Sequence, residues 1–224
     1  MVMSSQLEQR LLEIYQRLLF RYGPQNWWPA DGPFEVAVGA ILTQATSWKN
    51  VEKAISNLKE ADVLQSAALR ELELERLYQL IYPCGFYKVK ALKLKAFAKY
   101  LAGYGDDLAQ LFSQDLDSLR QELLSIYGIG EETADSILLY AADRPVFVID
   151  AYTRRILSRL GLLPQASSYS ALQSLFMENL PPDVPLYNEY HALLVRHGKE
   201  TCRRAPLCQG CCLKDLCSSP RPGL

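Results

Sequence analysis

The sequence has no run of about 18 uninterrupted apolar residues, the length a membrane-spanning helix requires. Its first ten residues, Met1–Arg10, are polar and charged where a secretory signal would carry an apolar core. A membrane protein and an exported precursor are therefore excluded as readings, and the expected compartment is the cytosol. Neither sign of charge is in excess: 24 Lys and Arg face 25 Asp and Glu, for a net charge of −1. No polybasic tail announces a partner, although a local basic patch stays open. Alternating strand patterns and internal repeats are also missing. With 49% hydrophobic residues the chain is too apolar for disorder. Its 224 residues allow one large domain or two small ones, at about 150 residues each, with a core that needs no staples.

Cysteine is nearly absent from the first 200 residues, where only Cys84 occurs, and this excludes a disulfide scaffold. Five of the six cysteines fall in the last 23 residues, spaced Cys202-x5-Cys208-x2-Cys211-x5-Cys217 with Cys212 as a spare. Four thiolates in one loop can ligate a [4Fe-4S] cluster or a zinc ion. Cys212 could replace Cys211, changing the inner spacings to x3 and x4. Arg203, Arg204 and Lys214 make the loop basic, while Cys84 reads as a buried thiol.

What the sequence does have is helical periodicity almost throughout. Leu7, Leu11, Leu12, Ile14, Tyr15, Leu18 and Leu19 form one apolar face, closed by Gly23-Pro24. Further helices are predicted over 34–42, 48–58, 69–81, 88–101, 108–112, 116–126, 131–141, 150–160, 167–177 and 186–197. The fold class is all-α, built of many short helices.

Three features carry chemistry. In LLSIYGIGEETADSILLYA, Gly128-Ile129-Gly130 turns the chain sharply between two helices. The second helix then presents free N–H groups beside Thr133, a natural phosphate site, although an ordinary αα-turn has the same pattern. In PVFVIDAYTRR, Asp150 follows four apolar residues and opens a helix. An N-cap is the simple explanation, and it is compatible with catalysis: an ionised carboxylate on an apolar floor can stabilise an oxocarbenium-like transition state or orient water. Lys88, Lys90, Lys93, Lys95 and Lys99 lie in a stretch with no acidic residue. Helical spacing cannot place all five on one face.

A Gly-x-Gly hairpin, an Asp 20 residues later and a four-cysteine loop occur here in one order. Together they resemble the endonuclease III superfamily of helix-hairpin-helix DNA glycosylases, over nearly the whole chain. ILTQATSWKNVEKA resembles the family segment whose Gln enters the DNA stack, which implies Gln44 as the plug left behind a flipped nucleotide. CGFYKVKA resembles the family's Gly-aromatic loop, and HALLVRHGKETC the helix that leads into the cluster. The resemblance implies a six-helix domain at residues 25–144, inserted in a [4Fe-4S] domain made of 1–24 and 145–224, with the active cleft between them. It also implies Asp150 as the catalytic carboxylate. Backbone grip would come from Gly128, Ile129, Gly130, Thr133, Lys88 and Lys90, and cluster ligation from Cys202, Cys208, Cys211 and Cys217. The expected partner is double-stranded DNA containing damaged bases, bound by a monomer in the cytoplasm and nucleoid of a prokaryote.

The chain departs from the pattern in two places. Bifunctional members carry a Schiff-base Lys where this sequence has Glu132, and a carboxylate cannot form an imine. The first cysteine spacing is x5 where the best-known members have x6. The segment QNWWP and the order WWP to QATSW resemble the alkylpurine-removing branch. Trp27, Trp28 and Trp48, the only tryptophans, would then hold a cationic 3-methyladenine or 7-methylguanine by cation–π attraction, unless they are packing groups. The expected function is monofunctional removal of alkylated purines. An oxidised-pyrimidine glycosylase with lyase activity is the alternative, followed by a mismatch-adenine enzyme and a non-catalytic damage binder. A redox carrier built on the loop fits poorly, because about 200 residues of helical protein exceed what a cluster carrier needs. Lys199 reads as a surface lysine just past the last helix, or as a group that positions water or phosphate. His191 reads as a packing histidine.

Overall fold

The computed structural model describes residues 6–219, and these are helical with irregular connections and no strand among them. They divide into two compact units: the described parts of Met1–Trp27 and Pro145–Leu224 form one, and Trp28–Arg144 the other.

The contiguous unit holds α2 (Pro33–Leu42), α3 (Trp48–Glu60), α4 (Ser66–Glu71), α5 (Leu74–Ile81), α6 (Tyr87–Leu101), α7 (Leu108–Phe112), α8 (Leu116–Ser125) and α9 (Glu131–Tyr140). Its centre is α2. Residues Val36 to Leu42 are all buried, as expected of a helix apolar on every side, and α9, α6 and α3 pack around it. Pro33 starts it at a position where a missing N–H costs nothing. The two helices of the hairpin, α8 and α9, are joined by a bidentate pair. Arg120 Nε and Nη2 donate to the two carboxylate oxygens of Asp135 at 2.7 and 3.1 Å, and the Asp135 side chain is fully buried.

The other unit joins both arms of the chain. Preceding the first-numbered contiguous helix, α1 (Gln6–Tyr22) packs on α12 (Val184–Glu200), and α12 packs on α10 (Ala151–Arg159); α11 (Tyr169–Met177) completes the set. Phe147 and Phe176 stack at 3.7 Å with Tyr190 edge-on to both, and the Tyr190 hydroxyl donates to the Leu11 carbonyl at 2.9 Å. Val146–Ile149 runs extended and buried through this core. It pairs with no strand; its polar groups go to side chains, Gln173 Nε2 donating to Phe147 O at 2.8 Å and Ile149 N to the Tyr169 hydroxyl at 3.3 Å. A core-anchored segment thus delivers the backbone to Asp150.

Two expectations about helix extent are corrected. The helix predicted over 69–81 is two helices, α4 and α5, broken at Leu72-Glu73. The carbonyls of Arg70 and Leu72 at the break are taken by the Lys95 ammonium, which supplies the donors that a continued helix would have supplied. The last helix, predicted over 186–197, runs from Val184 to Glu200, so Lys199 lies inside its final turn rather than beyond it. Gly198, inside this longer helix, is a point of close approach to Tyr152.

Candidate active site and DNA-binding residues

The hairpin is built as the sequence suggests. Gly128 has φ +81°, a conformation that disfavours any side chain, and Gly130 is the extended residue before α9. Ile129 is buried and pins the turn to its unit, while Gly130, Glu131 and Glu132 are exposed. The free N–H groups at this helix start can therefore meet an anion. Glu131 and Glu132 stand at that helix start. They suit the helix dipole and oppose a phosphate.

Gln44 is not loose. Its amide Nε2 donates to Gly128 O at 3.2 Å and to Thr133 Oγ1 at 2.9 Å, and its Oε1 accepts from the Lys93 ammonium. The structure thus brings Gln44, Gly128 and Thr133 into one network. Thr133 is buried, and its role here is to hold Gln44.

The basic stretch of α6 is mostly internal mortar. Lys90, expected at the DNA backbone, is only 2% exposed, and its ammonium donates to Leu42 O at 2.9 Å and Cys84 O at 2.8 Å. It closes the carbonyl ends of α2 and of the short turn at Tyr82–Cys84, so it is not a surface phosphate ligand. Burial holds its pKa below the usual lysine value. Lys95 caps α4 in the same way. Lys88 and Lys99 are exposed. Cys84 is buried as expected, and burial pushes its thiol up to about 11.

Trp28 and Trp48 meet edge to face at 5.2 Å, and Tyr140 lies 5.3 Å from Trp28. The Trp28 indole rests on Gly39 of α2, where an added Cβ would stand 3.1 Å from the ring. Part of Trp28 is therefore spent on packing. Its remaining surface and Trp48 line an open hollow of about 250 Å³ with Glu35, Glu52 and Lys59, whose ammonium pairs with the Glu35 carboxylate at 2.8 Å. Trp27 is half-buried and falls in the other unit.

Asp150 caps α10, with Oδ1 accepting from Thr153 N at 2.7 Å. One carboxylate oxygen is thereby fixed in direction. Lys199 and His191, both on α12, feel its charge. Burial lowers the pKa of each, and the nearby Asp150 carboxylate pulls both the other way. Lys199 is exposed by area, with its ammonium 6.0 Å over the Tyr152 ring, so it is a rim residue of this cluster. His191 is buried, in keeping with a packing role.

Tyr152 and Gly198 were missed by sequence reasoning. A Cβ at Gly198 would lie 2.5–2.9 Å from Tyr152 Cδ1, Cβ and Cγ, so only glycine lets α12 approach the first turn of α10. A glycine inside a helical pattern was the available signal. Gly198→Ala should cost about 1–3 kcal/mol by overpacking. It should also depress activity, because the strain falls one turn from Asp150; thermal melting together with a base-release assay checks both. Unchanged melting would mean that the contact relaxes freely.

The cysteine loop supplies thiols as its donors. Cys202, Cys208, Cys211 and Cys217 are free and half-buried, and burial pushes the Cys211 thiol up to about 11. A buried thiol ionises only when a cation replaces its proton. N–H donors face two of the sulfurs, Arg159 Nη1 to Cys202 Sγ at 3.2 Å and Leu213 N to Cys211 Sγ at 3.4 Å, while Cys217 Sγ donates to Arg159 O at 3.2 Å. His197 Nε2 lies 3.7 Å from Cys211 Sγ, and its Nδ1 meets the Tyr22 hydroxyl at 2.9 Å. The surroundings of Cys202 and Cys211 fit thiolate ligands, which accept N–H bonds. Among the described residues no three ligating side chains are grouped to hold a single ion.

The helical architecture is matched by known proteins. The family model for HhH-GPD superfamily base excision DNA repair proteins matches residues 38–182, and the chain belongs to that superfamily. It is a base excision repair DNA glycosylase. A protein of Methanocaldococcus jannaschii named as a DNA repair glycosylase is 49% identical over 211 residues, covering 93% of this chain and 96% of that one. Endonuclease III of Sulfolobus acidocaldarius is 31% identical, covering 82% of this chain and 81% of that one. Among solved structures, the H. pylori 3-methyladenine DNA glycosylase bound to 1,N6-ethenoadenine aligns with TM-score 0.73 at 27% identity, over 87% of this chain and 97% of that chain. Among the described residues no helix is long and apolar enough to cross a membrane.

Proposed function

We propose that this glycosylase removes alkylated purines from duplex DNA by hydrolysis and leaves the strand uncut. The observation that carries the reading is Glu132. It stands exposed on the first turn of α9, where bifunctional relatives of this pattern place an amine, and it offers no imine-forming nitrogen. The H. pylori 3-methyladenine glycosylase among the similar structures supports the same branch.

The chemistry needs little more than a carboxylate. A purine alkylated at N3 or N7 is cationic, so when the N9–C1′ bond breaks the electron pair stays on the base, which leaves neutral. Water adds its oxygen to C1′ and gives up a proton. Asp150, fixed by its cap, would stabilise the positive sugar or orient that water. Indole faces attract a cationic ring by roughly 0.5–2 kcal/mol each, and the hollow beside Trp28 and Trp48 adds the carboxylate of Glu52, Glu35 being paired with Lys59. Trp27 and a plug role for Gln44 belong to the same reading, as do a monomeric state and a domain division near residues 25 and 144.

Cys202, Cys208, Cys211 and Cys217 would hold a [4Fe-4S] cluster. When bound, the cluster would fasten the loop that carries Arg203, Arg204 and Lys214, giving the backbone a second basic contact.

The test is a glycosylase assay on methylated duplex DNA, with the released bases separated chromatographically. Free methylpurine, with nicks appearing only after alkali, is the expected result. Direct nicking of oxidised or abasic DNA without methylpurine release would overturn the reading in favour of a lyase that uses another amine, Lys199 first.

A further inference from the structure

Both polar atoms of the Gln44 side chain are engaged. Both amide hydrogens go to Gly128 O and Thr133 Oγ1, and the carbonyl oxygen accepts from Lys93. A glutamine that must fill a gap in DNA is thus held at both its polar atoms by its own protein, and insertion requires that these bonds be given up. Of the three partners, only Lys93 carries a charge that a DNA phosphate can attract.

Lys93 is also in the right place for such an exchange. Its stem lies across the hairpin turn, where a Cβ on Gly128 would meet Lys93 Cγ, Cδ and Cε at 2.3, 2.6 and 2.7 Å. The positive φ of Gly128 and the absence of its side chain make the groove in which that stem rests. The ammonium therefore sits beside the turn whose helix start offers N–H groups to an anion. It differs from Lys90 and Lys95, which are committed to helix-end carbonyls.

The geometry points to Lys93 as a latch: it holds Gln44 against the hairpin in the free protein and releases it when a backbone phosphate seats at the turn and draws the ammonium away. This rests on Gln44 as the gap-filling residue. It adds that insertion is conditional on a phosphate contact, so Gln44 probes the duplex only where the hairpin is already engaged.

The experiment uses the full chain and a duplex carrying 2-aminopurine opposite an abasic-site analogue, with fluorescence followed against salt. Gln44→Ala should lose the fluorescence rise. Lys93→Met removes both tie and charge, so the rise should persist while its log–log salt slope falls by about 0.9, one phosphate contact. Lys93→Gln keeps a hydrogen-bonding tie without charge, so Gln44 should stay latched and the rise should drop several-fold. A wild-type salt slope and amplitude in both Lys93 variants would overturn the latch. A full rise in Gln44→Ala would instead remove the gap-filling role, and the latch with it. Melting curves for each variant separate loss of fold from loss of response.

Discussion

Asp150→Asn should lower base release by about 10²–10⁴-fold, the range for losing a positioned carboxylate, while duplex affinity stays within a few-fold. The substitution suits the local structure. Asn is as good an N-cap as Asp, so the bond from Thr153 N can be kept and α10 can start where it does now. Shape is preserved and charge is removed. Asp150→Ala would remove both and could not tell a cap from a catalyst. Single-turnover release from methylated DNA and a gel-shift titration give the two readouts. Turnover near wild type would mean that Asp150 only begins a helix. Loss of binding together with turnover would mean that the charge shapes the DNA-bound form.

The second large effect falls on stability. Arg120→Met should destabilise the protein by about 3–5 kcal/mol, the usual cost of leaving a buried charge without its partner. At this chain length that is a fall in melting temperature of roughly 6–20 °C. Asp135 is fully buried in α9 and Arg120 reaches it bidentately from α8, so the pair fixes the two hairpin helices against each other. DNA affinity should therefore fall along with stability, because the N–H groups of the turn are aimed by those helices. A shift under about 2 °C in differential scanning calorimetry would show that the hairpin is held by its apolar contacts instead.

Helix existence was legible from periodicity, and several boundaries with it. Leu108–Phe112 forms as read, and so does the cap at Asp150. What local pattern could not supply was the destination of charged side chains. On α6 the rule is inverted: Val89 and Leu92 are 46% and 43% exposed, while Lys90 between them is 2% exposed. Nothing in the spacing of five lysines says which of them will meet a carbonyl from a helix 48 residues away, as Lys90 meets Leu42. The break at Leu72 depends on Lys95 in the same non-local way. Gly198 was passed over for a related reason. Its local preference argues for a helix end, and the ring of Tyr152 overrides that preference. At the hairpin, the positive φ of Gly128 followed from the motif, whereas the bonds that immobilise Gln44 come from two other segments.

The arrangement of the two units bears on how the chain can be made. Trp28–Arg144 is one uninterrupted stretch, and α2 packs there on α3, α6 and α9. The other unit needs Leu11 to meet Tyr190, and Arg10 to reach the carbonyls of Leu160 and Leu216. During synthesis at about 5–20 residues per second, α1 emerges ahead of the contiguous unit and waits until α12 has been made before its partner helix exists. The hairpin unit can condense in that interval, and the loop-closure cost of pairing α1 with α12 is then reduced because the residues between them are already compact. The thiols of the cysteine loop follow α1 to α12 off the ribosome, so any metal they take is acquired after the hairpin unit has had time to fold.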